Sequence, residues 1–306
     1  MGTGECRLGD FYEYGEGVTK DLVKAAEWYR KAAERGNAGA QYKLGKCYYY
    51  GYGVEENNEE AVKWLRRASE QGAADAQDLL GECYYYGYGV ETNHWEAVKW
   101  YEKAAKKGNA DAQNMFGYCY DHGEGVTNDL SKAAEWYRKA AEQGYDIAQY
   151  NLGLCYANGR GVTKDYAKAA EWYREAAEQG YARAQYNLAV LYYNGNGVTQ
   201  NKEEAVKWYR KAAEQGDADA QCSLGVRYEY GEGVTKDLTK AAEWYRKSAE
   251  QGNARAQYDL GRCYHNEQGV ARDLKKLWSG TSKPQNKAGQ MHNISLEHFT
   301  AMDMAV

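Results

Sequence analysis

The chain has 306 residues, a formal net charge of -5 and 27% charged residues. That balance supplies no basic field for nucleic acid or an anionic membrane surface, and no stretch reaches the roughly eighteen consecutive apolar residues that would suggest a membrane-spanning helix. Tyrosine (31) and glycine (34) stand against a single proline, a bias that points to internal repetition.

From the first residues onward the same signals recur. The opening "MGTGECRLGDFYEYGEGV" carries neither a charged leader nor an apolar core, so no signal peptide is expected there. It ends in Gly17-Val18, and Gly-Val returns at 53/54, 89/90, 125/126, 161/162, 197/198, 233/234 and 269/270, always 36 residues on. Trp28, Trp64, Trp100, Trp136, Trp172, Trp208 and Trp244 keep the same step. A fixed period of this length is the signature of a repeat array.

One unit is "NAGAQYKLGKCYYYGYGVEENNEEAVKWLRRASEQG", residues 37–72. Ala40, Leu44, Cys47 and Tyr48 form one stripe of a first helix, A. Gly51 and Gly53 end it with the backbone freedom of a tight turn. Ala61, Trp64, Leu65 and Ala68 form the stripe of a second helix, B, closed by Gly72 in the position of a C-terminal cap. Neither helix is long enough to persist alone, so the hairpins are expected to stack into an open all-α solenoid of period 36. Glycine inside helix A, at 9, 45, 81, 117, 153, 225 and 261 with Ala189 as the eighth, predicts close packing that offsets its cost of about 1 kcal/mol. The tryptophan of helix B is expected to supply the largest buried area of each unit.

"AQYNLGLCYANGRGVTKDYAKAAEWYREAAEQG" (148–180) and its siblings resemble the Sel-1-like repeat family, relatives of the tetratricopeptide repeats, over residues 4–276. The resemblance implies a right-handed superhelical α-solenoid acting as a non-catalytic scaffold or adaptor, with no cofactor.

Residues with catalytic potential do not converge. Cys47, Cys83, Cys119, Cys155 and Cys263 share one slot with Phe11, Leu191 and Arg227, so they read as small core residues. Neighbouring slots about 8–10 Å apart are too distant for disulfides or shared zinc. Unpaired thiols suit a reducing, cytoplasmic setting. His94, His122 and His265 fall in different slots, the Gly-x-Gly runs lack the third glycine of a dinucleotide loop, and Glu59/Glu60 open a helix whose dipole favours them. No catalytic, cofactor or metal site is expected. The alternative is a hydrolase or cell-wall-related enzyme on a solenoid scaffold, or an array that meets partners through helix B and loops near His94 and Trp95.

Within helix A, slots like 39, 42, 46 and 49 lie on the face opposite the core and vary most between units. In the middle repeats that face reads Ile147, Tyr150, Leu154 and Ala157, then Tyr186, Val190 and Tyr193, then Val226. Asp75, Asp78, Glu82 and Asp111 precede it, and Arg255, Tyr258 and Arg262 follow. Such a strip predicts a groove for a peptide or helix of a protein partner, with tyrosine anchors. The competing expectation is that adjacent A helices close over it.

After Lys276 the pattern stops. Read one nucleotide out of frame, with synonymous codons free, residues 277–306 spell a further unit with a tryptophan at position 280 and a glycine at 305. The expectation is a single lost base near codon 276 and an aberrant tail. An uncapped first unit and a broken last one also predict end-to-end self-association.

Overall fold

The computed structural model describes residues 2–270, and over them the chain is helical throughout, without a strand. The A helices are α1 (Thr3–Tyr14), α3 (Ala38–Tyr50), α5 (Ala74–Tyr86), α7 (Ala110–His122), α9 (Asp146–Asn158), α11 (Ala182–Asn194), α13 (Ala218–Tyr230) and α15 (Ala254–His265). The B helices between them are α2 (Leu22–Glu34), α4 (Asn58–Glu70), α6 (His94–Lys106), α8 (Leu130–Ala141), α10 (Tyr166–Glu178), α12 (Lys202–Glu214) and α14 (Leu238–Glu250). Each helix packs chiefly on its predecessor and successor, the pattern of a solenoid. The tail from residue 277, with its out-of-frame reading, lies outside the described residues.

Local chemistry sets the boundaries. Every B helix starts on an Asp or Asn whose side chain accepts a hydrogen bond from an amide of the first turn, Asp21 from Lys24 and Asn57 from Glu60 among them. A helices from α1 to α13 stop on a left-handed glycine, such as Gly159 with φ 72°. From Gly53 onward, the second glycine of each G-x-G-V turn has a further reason to lack a side chain. A Cβ at Gly161 would lie 1.9 Å from the Leu130 carbonyl oxygen, and one at Gly53 equally close to that of Leu22. Each turn thus seats against the first residues of the preceding B helix.

The close packing anticipated from the glycines of helix A is a side-chain packing. Cβ atoms at Gly81, Gly153 and Gly225 would lie 2.6–2.7 Å from the rings of Tyr101, Tyr173 and Tyr245. These rings, with Tyr29, Tyr137 and Tyr209, are buried to 4% exposure or less, and Leu65 takes the same place in α4. The tryptophan expectation fails here. Trp100 and Trp208 are buried, but Trp28, Trp64, Trp136, Trp172 and Trp244 stay half-exposed. One residue earlier, each is rotated about 100° away from the core-facing tyrosine or leucine. A basic side chain three residues on covers the ring in six units, as Lys139 does for Trp136 at 3.9 Å.

At the other end of the hairpins runs a ladder of glutamines. Gln113 donates to the Ala105 carbonyl at the end of α6, and its own Oε1 accepts from Gln143 at 2.7 Å. The rung recurs at Gln41/Gln71, Gln149/Gln179, Gln185/Gln215 and Gln221/Gln251. Among the described residues the glutamine pair is replaced twice: Glu5 pairs with Arg35 in the first unit, and position 107 is a lysine, which bonds the Gly72 carbonyl instead and leaves Gln77 Oε1 buried without a partner.

The shared cysteine slot is buried as expected, and among the described residues no disulfide forms. Burial pushes the thiols of Cys83, Cys119 and Cys155 up to about 12 and those of Cys47 and Cys263 to about 11. Arg227, the odd occupant of that slot, reaches across to Glu232 at 2.7 Å and lies over the Tyr193 ring.

Candidate interaction surface

Side chains bridge consecutive A helices along one face. Tyr49 donates to Glu82 at 3.1 Å, and Arg262 reaches back to Glu229 at 2.6 Å. The candidate strip lies on this face and is partly filled by its own neighbours. Tyr150 rests against Tyr173 and Tyr181 at centroid distances of 5.9 and 5.1 Å, and Tyr186 against Tyr209 at 5.8 Å. Ile147, Leu154, Val190 and Ala157 are half-buried, presenting one edge outward.

Two residues of the strip depart from expectation. Val226 is buried at 8% exposure together with Cys222 and Glu229, so in α13 the face is closed and Val226 offers no contact. Tyr193 already has partners: its hydroxyl donates to Glu232 at 2.8 Å while Arg227 and Lys202 flank the ring. Beyond this closed unit the face opens again at Arg255 and at Tyr258, which is 65% exposed.

Two residues that the periodicity did not single out join the strip. Four A helices begin on Asn or Asp, as Asn109 does for α7, while α1 and α5 begin on Gly2 and Ala73 and α9 and α11 on Tyr145 and Tyr181, all without a side-chain cap. Tyr181 stacks beside Tyr150, and the Tyr145 hydroxyl faces Asp111. The signal was present as a departure from the Asn/Asp slot at 37, 109, 217 and 253.

On α5 the face turns acidic. Burial first, then Asp111, Glu82 and Asp75, raise the Asp78 carboxyl to about 8. Burial also raises Glu82, although the Tyr49 hydrogen bond counteracts it. The histidines do not meet: His94 stacks on Tyr85, His122 on Tyr118, and His265 is exposed. Trp95 is 58% exposed with Lys99 over its ring. A depression of about 670 Å³ lies on the opposite side, between α8 and α10 around Trp172, walled by Arg, Lys and Glu side chains. Among the described residues no group of His, Cys, Asp and Glu has the arrangement of a metal site, and no helix is long and apolar enough to cross a membrane.

A stack of capped helix pairs with a varied face on one side defines an α-solenoid repeat protein. The Sel1 repeat matches at residues 3–37, 38–72, 74–109, 110–145, 146–181, 182–217, 218–253 and 254–276, and the chain belongs to that family. Two solved structures are similar over most of the chain. A Sel1 repeat protein from Oxalobacter formigenes is 34% identical with a TM-score of 0.71, over 80% of this chain and 96% of that one. The protective antigen c5321 of uropathogenic Escherichia coli, which displays an SLR fold, is 37% identical with a TM-score of 0.56, over 91% of this chain and 75% of that one. A signal-transduction ATPase of Pyrococcus horikoshii with a tetratricopeptide repeat sensor shares the fold alone, at 16% identity and a TM-score of 0.52, covering 91% of this chain and 46% of that one. No curated protein gives a significant sequence match. Sel1 repeat proteins generally mediate protein–protein interactions and are typically non-catalytic scaffolds.

Proposed function

We propose that this array is a non-catalytic scaffold that receives a segment of a partner protein along the helix-A face, on Ile147, Tyr150, Leu154, Tyr186 and Val190, extended by Tyr145 and Tyr181. The surrender of two helix caps carries the reading. Replacing an Asn or Asp cap costs about 1 kcal/mol, and it is given up where a tyrosine then lengthens the apolar strip. Caps are also missing in α1 and α5, which start on Gly2 and Ala73, but only α9 and α11 put an aromatic ring in that slot, in adjacent units beside the strip, and that favours function over packing. Tyr193, held by Glu232 and Arg227, serves as a wall, and Arg255 with Tyr258 forms a separate contact past the closed unit.

Truncating Tyr150 and Tyr186 to alanine would disturb the rings of Tyr173 and Tyr209 beneath them, so a cleaner test uses the caps. Peptides are selected from a random display library on the intact chain and titrated against the Tyr145→Asn/Tyr181→Asn variant. The variant regains two caps and is expected to be at least as stable, while its affinity for the selected peptides falls tenfold or more. Undiminished affinity would reject this face. Crosslinking from position 95, on the outer side, then tests contact through helix B and loops.

A further inference from the structure

The repeats provide an internal comparison of how the fold treats carboxylates against the buried tyrosine of helix B. In the first unit the Tyr29 hydroxyl donates to Asp10 and Glu13, and Lys43 of the next A helix pairs with both. Near the other end Tyr245 donates to Glu229 at 2.6 Å, and Arg262 of the next A helix pairs with it. In each case the following unit delivers a cation. Asp121 is treated similarly by Arg160 at 2.6 Å, while Glu232 is paired by Lys202 of the preceding unit and Arg227 of its own.

The third unit has the same arrangement without the cation. Glu82 stands two periods after Asp10, Tyr101 two periods after Tyr29, and Met115 where Lys43 would be. Asp75, Asp78, Glu82 and Asp111 form no ion pair among the described residues, and Asp78 accepts no hydrogen bond there. Tyr101 is fully buried, its hydroxyl has no partner, and Asp78 and Glu82 are among the charges acting on it. Orphaned buried hydroxyls are costly and call for an explanation. Tyr42, Tyr49 and Tyr145 border the cluster, and Lys46, the basic neighbour on α3, lies over Tyr42 rather than against a carboxylate.

We propose that Asp78 and Glu82, flanked by Asp75 and Asp111 and backed by the Tyr101 hydroxyl, receive an arginine or lysine side chain of the partner segment, which takes the place that Lys43 and Arg262 fill elsewhere in the array. The proposal rests on the reading of the helix-A face as the partner surface and adds the partner's chemistry: a basic residue bound about two A helices before the apolar strip, so the segment couples a cation to apolar side chains. Ion pairing here replaces a destabilising proximity of like charges, and tyrosines around the cation add face contacts.

The probe is fluorescently labelled octa-arginine, titrated by anisotropy against the full chain at physiological ionic strength. The Asp78→Asn/Glu82→Gln variant is expected to weaken binding at least tenfold. Glu59→Gln/Glu60→Gln, which replaces two carboxyl groups at the start of α4, changes it less than twofold. Equal losses in both would overturn the site in favour of a diffuse field, as would absence of probe binding. Met115→Lys supplies the cation from within; it is expected to raise Tm and to abolish probe binding, and a Met115→Lys protein that still binds the probe overturns the proposal. Displacement of the probe by millimolar magnesium or calcium, with stoichiometric metal uptake, would reassign the cluster to a metal ion. The Tyr145→Asn/Tyr181→Asn variant keeps octa-arginine binding if this site is right, even where library-selected peptides are lost, so failure of the strip and failure of the cluster are read separately.

Discussion

At the scale of single residues, the interruptions of a repeating pattern carry the most information. Lys107 is one: where other units close a rung between two glutamines, it leaves Gln77 Oε1 buried and unpaired. Gln179 shows that a glutamine at this slot meets both needs, donating to Gln149 and to the Gly144 carbonyl. Lys107→Gln is therefore expected to stabilise the protein by about 1 kcal/mol in urea unfolding, the net worth of one hydrogen bond. Asp78 is another. Its folded-state value of about 8 lies above the ordinary aspartate value, so the native state holds a proton that the unfolded chain has released. Stability is then highest at acid pH with respect to this group, and declines as pH rises from about 4 to 8. Asp78→Asn is expected to flatten that decline and to be more stable than the parent at pH 8 by about 1–2 kcal/mol, a figure reduced for solvent screening of a group that is not sealed. A variant whose Tm follows the same pH profile as the parent would show that Asp78 is ionised throughout.

At the scale of elements, the helix pair with its turn was readable in advance because its causes are local: apolar spacing, Asn/Asp starts and glycine stops. Which aromatic ring reaches the core was not. Trp64 and Leu65 are adjacent in sequence, and only the packing angle between helices decides that Leu65 is sealed and Trp64 left half-open. That slots 147, 150, 154, 186 and 190, all five half-buried, share one helix face was legible from their spacing. The closure over Val226 and the capture of Tyr193 were not, because both depend on what the following unit sends back. The G-x-G-V turn is the strictest element. Gly161 combines φ 69° with a backbone neighbour at 1.9 Å from any Cβ, so Gly161→Ala is expected to destabilise by about 2–4 kcal/mol. Gly144, also at positive φ (88°) but with open space around it, is expected to tolerate alanine at about 1–2 kcal/mol. Parallel denaturant titrations of the two variants check the difference.

At the scale of the whole molecule, contacts run between successive helices, so stability is approximately a sum over units and interfaces. Excising one complete unit, residues 146–181, joins two equivalent boundaries. The shortened chain is expected to fold with the helicity per residue of the parent and a proportionally smaller dependence on denaturant. Loss of cooperative unfolding would contradict an additive array. The family match stops at residue 276, where the expected register of the eighth tryptophan-bearing segment is lost. We propose that the bases encoding residues 277–306 are a further unit displaced by one nucleotide. Sequencing of the gene across codons 274–280 is expected to reveal the missing base, and codons that do not spell a repeat in the neighbouring frame refute it.

The seating of the second turn glycine, from Gly53 onward, against the backbone before it means that the loops on that border of the molecule cannot spread apart without first losing a backbone approach too close to admit a side chain. That border acts like the stitched spine of a book. Leaves can fan, but only by rotating about the stitching, so whatever settles between them must be admitted by angular opening rather than by lengthening of the stack.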